Sequence, residues 1–150
     1  MRVIVQRCLE SSVSINNKIV GKINYGLVLL VGFTDGDNDK IIDKVVNKIL
    51  KLRIFDDDNG VMNKSILDVG GSILSISQFT LYGDIKKGNR PSYSKAMNGE
   101  NASILYDLFN TKLKEHVEVK TGMFGADMSI SIINNGPVTI IIESEDLWVN

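Results

Sequence analysis

The sequence predicts a mixed α/β fold: a single domain with a curved, antiparallel-rich sheet or partial β-barrel and two amphipathic helices packed on one face. Three observations lead there. Short runs of alternating apolar and polar residues recur near both ends of the chain, the pattern of half-buried strands. One run, GLVLLVGF from Gly26, is apolar almost throughout, as a central strand covered on both faces is. Two segments, near 39–52 and 101–114, space their apolar residues three and four apart, the helical period.

The 150 residues suffice to bury a core without disulfides or metal. No apolar run reaches 18 residues, so no membrane span is predicted. The opening MRVIVQRCLESS carries charge inside a short apolar alternation and reads as a first strand, not a signal peptide. Cys8 is the single cysteine, which excludes an internal disulfide and suits a reducing cytosol; packing in or near the core is its expected role. A cytoplasmic location follows as an expectation. A net charge of −1 argues against a broad phosphate-gripping surface, so any nucleic-acid contact must be local.

Residues 2–7 alternate as a strand. Ser12–Ile15 and Lys18–Ile23 are two short runs joined by Asn16-Asn17, a good hairpin turn because Asn tolerates positive φ. After the central run, residues 34–39 are rich in helix N-cap candidates; they lack the spacing and closing glutamate of a calcium loop. Ile41, Ile42, Val45, Val46, Ile49 and Leu50 then form the apolar stripe of a first helix ending near Leu52. Arg53-Ile54-Phe55 is strand-like, 56–60 is an acidic turn, and 63–68 reads as an irregular connection.

The stretch from Gly71 to Asp84, GSILSISQFTLYGD, is the one the rest serves. Ile73, Leu74 and Ile76 among serines predict a half-buried strand, after which Gln78 and Thr80 bracket Phe79 and share one face of the chain. Polar groups at a buried strand end cost free energy unless paired. Either they satisfy neighbouring backbone in a crowded sheet, or hydroxyl, amide and backbone N–H groups converge on a ligand carbonyl.

Residues 83–93 form a long exposed loop with two glycines and a proline, and long loops in compact domains tend to carry function. Lys86, Lys87, Arg90 and Lys95 are its basic cluster; a solvated face is the competing reading. The second helix, from about Asn101 to Lys114, turns Ile104, Leu105, Leu108, Phe109 and Leu113 inward. His116, the only histidine, ends it, where a histidine ordinarily meets helix carbonyls. With no second histidine and no cysteine pair, zinc sites and Ser–His triads have no support, and no metal or organic cofactor is implied. The chain closes with a strand at Val117–Thr121, a turn at 122–125, strands at Met128–Ile133 and Val138–Glu143, and Asn134-Asn135-Gly136-Pro137 between them, a place for a cis peptide.

SQFTL at 77–81 and NNGPVT at 134–139 together resemble the paired signatures of the D-aminoacyl-tRNA deacylase family, also called D-tyrosyl-tRNA deacylases. MRVIVQR at the start, GLVLLVGF, LRIF at 52–55, Asn89-Arg90-Pro91-Ser92 and TGMFGADM at 121–128 extend the resemblance over essentially the whole chain. It implies a hydrolase that cleaves the ester between a D-amino acid and the terminal ribose of tRNA, with mischarged glycyl-tRNA a further substrate: chiral proofreading in translation quality control. It also implies a homodimer with each active site at the subunit interface. There Gly136-Pro137, as the family's cis Gly-Pro, reaches into the neighbouring pocket and excludes an L side chain by backbone clash. Asn134 and Thr139 belong to that motif, and Arg7 with Gln6 braces its carbonyls, an ordinary surface-facing strand end being the competing reading.

Ser77, Gln78, Phe79 and Thr80 carry the catalytic segment in this reading. Phe124 and Met128, which periodicity alone leaves equally open to core packing, hold the adenosine of the aminoacylated tRNA 3′ end. Thr80 as a nucleophile competes with an oxyanion hole of backbone N–H groups around Ser77 to Phe79, with water or the RNA's 2′-hydroxyl completing the chemistry; the absence of a histidine partner favours the second. Three departures from the family pattern stand out: Cys8 in place of an aliphatic residue, Tyr93 in place of phenylalanine, and Ala96-Met97-Asn98 before the second helix. Two other classes remain in view, a non-catalytic module for the tRNA end and a homodimeric scaffold whose polar strand end is only structural.

Overall fold

The computed structural model describes residues 1–148. Its first strand, β1 (Arg2–Ile15), runs unbroken where the sequence predicts two separate runs. The polar residues at its middle do not end it because they sit where its pairing changes: β3 flanks the first half and β2 the second. β2 (Lys18–Ile23) follows a turn in which Asn16 and Asn17 take φ of 50° and 62°, as the hairpin reading requires. β3 (Gly26–Gly32) pairs antiparallel with β1.

Helix α1 (Asp39–Lys51) is capped by Asn38, whose side chain accepts from the Ile41 N–H at 3.3 Å. A short hairpin, β4 (Phe55–Asp56) and β5 (Met62–Lys64), leads to α2 (Ile66–Val69). The sequence reading missed β5 and α2 in the segment 63–68. Their signal is the capping box of Ser65 and Asp68, whose side chains serve each other's backbone N–H groups. β6 (Ser72–Ser77) lies parallel to β3, and α3 (Gly99–Lys114) returns the chain to β7 (Val119–Thr121), parallel to β6.

β8 (Ser129–Glu143) pairs with the full length of β1 and carries Gly136-Pro137 inside it, so the two closing strands predicted are one. The main sheet has the order β2-β1-β3-β6-β7, with β8 on the remaining edge of β1. It curls until β2 packs against β6 and β7; a Cβ at Gly21 would stand 2.9 Å from the Thr121 carbonyl. The sheet is thus a nearly closed barrel, antiparallel around β1 and parallel around β6.

The curl explains the apolar run of β3. Leu27, Leu29 and Val31 face α1 and α3 in the larger core, while Val28 joins Leu74, Ile76 and Val13 in a smaller core on the barrel side. β6 is buried on both faces for the same reason, Ser75 included, and is not the half-buried strand its serines suggest. The inward face of α3 also differs from the one predicted. Phe109 and Leu113 are buried, but Ala102, Tyr106 and Asn110 share that face and Ile104 is exposed. The Tyr106 hydroxyl turns the helix, donating to the Ser75 carbonyl at 2.7 Å beneath it.

Candidate active site

Ser77 ends β6 level with Val31 of β3, and the Gln78 N–H donates to the Val31 carbonyl at 2.7 Å. The backbone then leaves the sheet for a 3₁₀ turn, Phe79–Tyr82, where the sequence suggests continued extended chain. Arg2 holds this turn: its Nη1 donates to the Leu81 carbonyl at 2.5 Å, its Nε pairs with Glu143, and its guanidinium lies 5.0 Å from the centre of the Tyr82 ring. Burial, then the nearby Asp37 and Glu143 carboxylates, push the Tyr82 hydroxyl well above its ordinary pKa, so it stays a neutral phenol.

The turn has a chemical consequence. Gln78 and Thr80 come together, with Gln78 Nε2 donating to Thr80 Oγ1, so the two polar groups do share a face. The Phe79 and Thr80 N–H groups, first in the turn, have no acceptor among the described residues. The Gln78 N–H is committed to Val31, so the donors are shifted one residue along from the predicted set of Ser77 to Phe79. Phe79 is 56% exposed, and its ring meets Tyr93 edge-on at 5.1 Å.

Ser77, Gln78 and Phe79 line a cavity of about 290 Å³ together with Phe124 and Met128. Thr80 adjoins the cavity through Gln78 and does not line it. Phe124 leans on Tyr106 at 5.9 Å between ring centres and packs on the larger core, while Met128 packs on the smaller one. Both residues are therefore core edge and cavity wall at once. Phe33, Met97 and Asp127 also line the cavity and were not singled out in the sequence. Asp127 lay inside the MFGADM stretch; Met97 lay in the departing Ala-Met-Asn segment, which the structure ties down through Met97 N–H to the Phe33 carbonyl and Asn98 as the cap of α3.

The second constellation lies elsewhere in the chain. Gly136-Pro137 is cis, with Gly136 at φ +116°. Between the Gln6–Thr139 and Cys8–Asn134 pairs, β8 carries more residues than β1, so the Gly-Pro segment bulges outward opposite Arg7. Arg7 is 5% exposed; it donates from Nε to the Asn135 carbonyl at 3.2 Å and from Nη1 to the Ile54 carbonyl at 2.9 Å and to Asp56 at 3.1 Å. Asn134 closes the bulge, donating to the Arg7 and Val138 carbonyls, both at 3.0 Å. Gln6 reaches the Thr139 hydroxyl at 3.4 Å and no carbonyl of the loop. The Ile54 and Asp56 partners of Arg7 left no local signal, because they approach it through space.

The two constellations do not meet within one chain. Ser77 is level with Val3 through Val31, whereas Arg7 is level with Ile73 through Leu27, an offset of about 13 Å along the strands. β1 and β3 also stand between β8 and β6. Burial raises the Cys8 thiol above its ordinary value, and the residue packs in the smaller core as expected. Among the described residues no group of three or more His, Cys, Asp or Glu side chains is arranged to hold a metal.

By fold and site this is a mixed α/β barrel protein with a cavity where a buried strand ends, lined by polar and aromatic side chains. The chain belongs to the D-Tyr-tRNA(Tyr) deacylase family, whose model matches residues 4–143. It is 54% identical over 145 residues to the D-aminoacyl-tRNA deacylase of Brevibacillus brevis, covering 96% of this chain and all of that one. It is 51% identical over 148 residues to that of Listeria monocytogenes, with 98% of each covered. A solved structure named c-Myc DNA Unwinding Element Binding Protein superposes with a TM-score of 0.91 at 38% identity, over 95% of this chain and 98% of that one. Another, described as a "probable eukaryotic D-amino acid tRNA deacylase", gives 0.80 at 19% identity over 94% and 97%, and shares the fold.

Proposed function

We propose that the protein hydrolyses the ester bond of D-aminoacyl-tRNA, releasing the free D-amino acid and tRNA. The observation that carries this is a cavity that brings a polar strand end together with Phe124 and Met128. The adenine of the tRNA 3′ end stacks on that aromatic and thioether wall, which brings the ester carbonyl to the 3₁₀ turn. The Phe79 and Thr80 N–H groups then stabilise the oxyanion that forms as a water, oriented by the RNA's own 2′-hydroxyl, attacks and gives up its proton. Collapse of that intermediate expels the ribose oxygen, which takes up a proton. Ser77, Gln78 and Thr80 orient the substrate.

Chirality is read by a second copy of the chain. Its Gly136-Pro137 segment enters the cavity of the first and occupies the space an L side chain needs; glycine, without a side chain, is also accepted. The bulge that carries this segment projects outward and lies far from the chain's own Ser77, which supports delivery in trans. Ile133 and Ile141 stand exposed on β8 on either side of it, a surface that a partner copy covers.

Incubation with D-Tyr-tRNA and L-Tyr-tRNA tests this: free tyrosine is expected from the first alone, and equal cleavage of both sinks the chiral reading. The 38%-identical structure named for DNA binding favours one alternative, a module that holds nucleic acid without turnover. Binding of both tRNAs with neither cleaved selects it.

A further inference from the structure

The basic loop between Asp84 and Ser92 has no role in the chemistry above, and its geometry gives it one. It is a closed excursion: Asp84 and Ser92 exchange backbone hydrogen bonds at 2.7 and 2.9 Å, and the Lys95 ammonium lies 3.1 Å from the Asp84 carboxylate. Asp84 also accepts from the Lys86 N–H at 2.9 Å. The one acid of the loop is thus neutralised at its base. Lys86, Lys87 and Arg90 remain at its tip, all exposed and none in a salt bridge among the described residues. In a chain of net charge −1 this is a local concentration of three positive charges.

The segment that follows the loop is fastened to the cavity: Tyr93 packs edge-on against Phe79 of the cavity wall, and Met97, itself a lining residue, is tied to the Phe33 carbonyl at 3.0 Å. The cavity lining also includes Asp127, exposed and negative. A polyanion with its end in this cavity is attracted by the basic loop and repelled by Asp127.

We infer that Lys86, Lys87 and Arg90 bind phosphates of the RNA strand that leads away from the cavity, so that the acceptor end leaves over this loop. This rests on the deacylase reading and adds to it the direction of the RNA. Each phosphate contact releases counterions, and each lost contact lowers the salt dependence of log affinity by about 0.7–0.9.

The test compares D-Tyr-tRNA with D-tyrosyl adenosine ester, which keeps the scissile bond and the base but has no phosphate. For the triple variant K86Q/K87Q/R90Q, kcat/KM on D-Tyr-tRNA is expected to fall about tenfold or more at moderate salt, with a salt slope shallower by about two. Its rate on the adenosine ester stays at the wild-type value, which also shows that the fold and cavity are intact. Equal loss on both substrates, or none on either, overturns the role of the loop while leaving the deacylase reading in place. A wild-type protein inert toward both substrates overturns that reading, and this one with it.

Discussion

Arg7 Nη2 stands 2.6 Å from where a Cβ on Gly136 would be placed, and Arg7 Nε holds the carbonyl of the preceding residue, Asn135, at 3.2 Å. One buried guanidinium therefore fixes the Gly-Pro bulge from beneath and fills the space beside it. With Gly136 at φ +116°, a conformation L side chains rarely adopt, the residue is selected twice: by its backbone and by its neighbour.

Gly136→Ala is accordingly expected to cost about 1–3 kcal/mol, the scale of a strained positive-φ residue, because the methyl group must displace Arg7 or Val138. Urea denaturation measures the loss. If the bulge is the chiral selector, the same variant cleaves L-Tyr-tRNA more readily relative to D-Tyr-tRNA, and an unchanged ratio argues that the selector lies elsewhere.

Arg7→Ala leaves the Asn135 and Ile54 carbonyls without their donor and opens a void in a buried position. We expect a loss of about 2–4 kcal/mol from the combined unsatisfied acceptors and lost packing. The Asp56 carboxylate contributes little to this, since its side chain is about half exposed. Asp56→Asn therefore shifts the urea midpoint far less than Arg7→Ala, and comparable shifts would overturn that ranking.

Much of this was legible in the sequence, and the failures have physical causes. The central strand, α1 and the Asn16-Asn17 turn were readable because periodicity and turn chemistry are local. Arg7 as a brace was readable through the family likeness, but its partners Ile54 and Asp56 were not, because contacts between distant residues leave no spacing. Ser75 misled: alternation implied an exposed face, whereas barrel closure buries both sides of β6. Ile104 misled in the opposite sense, since the Tyr106–Ser75 hydrogen bond sets the rotation of α3 and no hydrophobic count contains it. The capping box at Ser65 and Asp68 was a local signal that went unread.

That capping box makes stability depend on pH. The Ser65 N–H and hydroxyl hold the Asp68 carboxyl below its ordinary pKa. A depressed folded-state value means the stabilisation is fully present above the unfolded value, about pH 4, and is lost as pH falls through the folded one. The difference in melting temperature between wild type and Asp68→Asn is therefore expected to be largest near neutrality and to shrink below pH 4. Calorimetry across pH 7 to 2.5 checks it, and a difference that grows on acidification contradicts the assignment.

Thr80 decides between the two routes for ester cleavage. Its hydroxyl accepts from Gln78 Nε2, its own N–H has no acceptor among the described residues, and its side chain does not line the cavity. A nucleophile needs a base to take its proton, and the amide of Gln78 is a donor to Thr80 with no basic lone pair to offer. An orienting hydroxyl contributes what one neutral hydrogen bond does, about 0.5–1.5 kcal/mol, or roughly two- to thirteenfold in rate. Removal of a covalent nucleophile costs far more, on the order of 10⁶-fold in a hydrolase that depends on one. Thr80→Val retains the backbone N–H and deletes only the hydroxyl. Its single-turnover rate on D-Tyr-tRNA is expected to stay within about tenfold of wild type, the range of one neutral hydrogen bond. A collapse of several orders of magnitude would instead make Thr80 the attacking group and reduce the 3₁₀ turn to the frame that presents it.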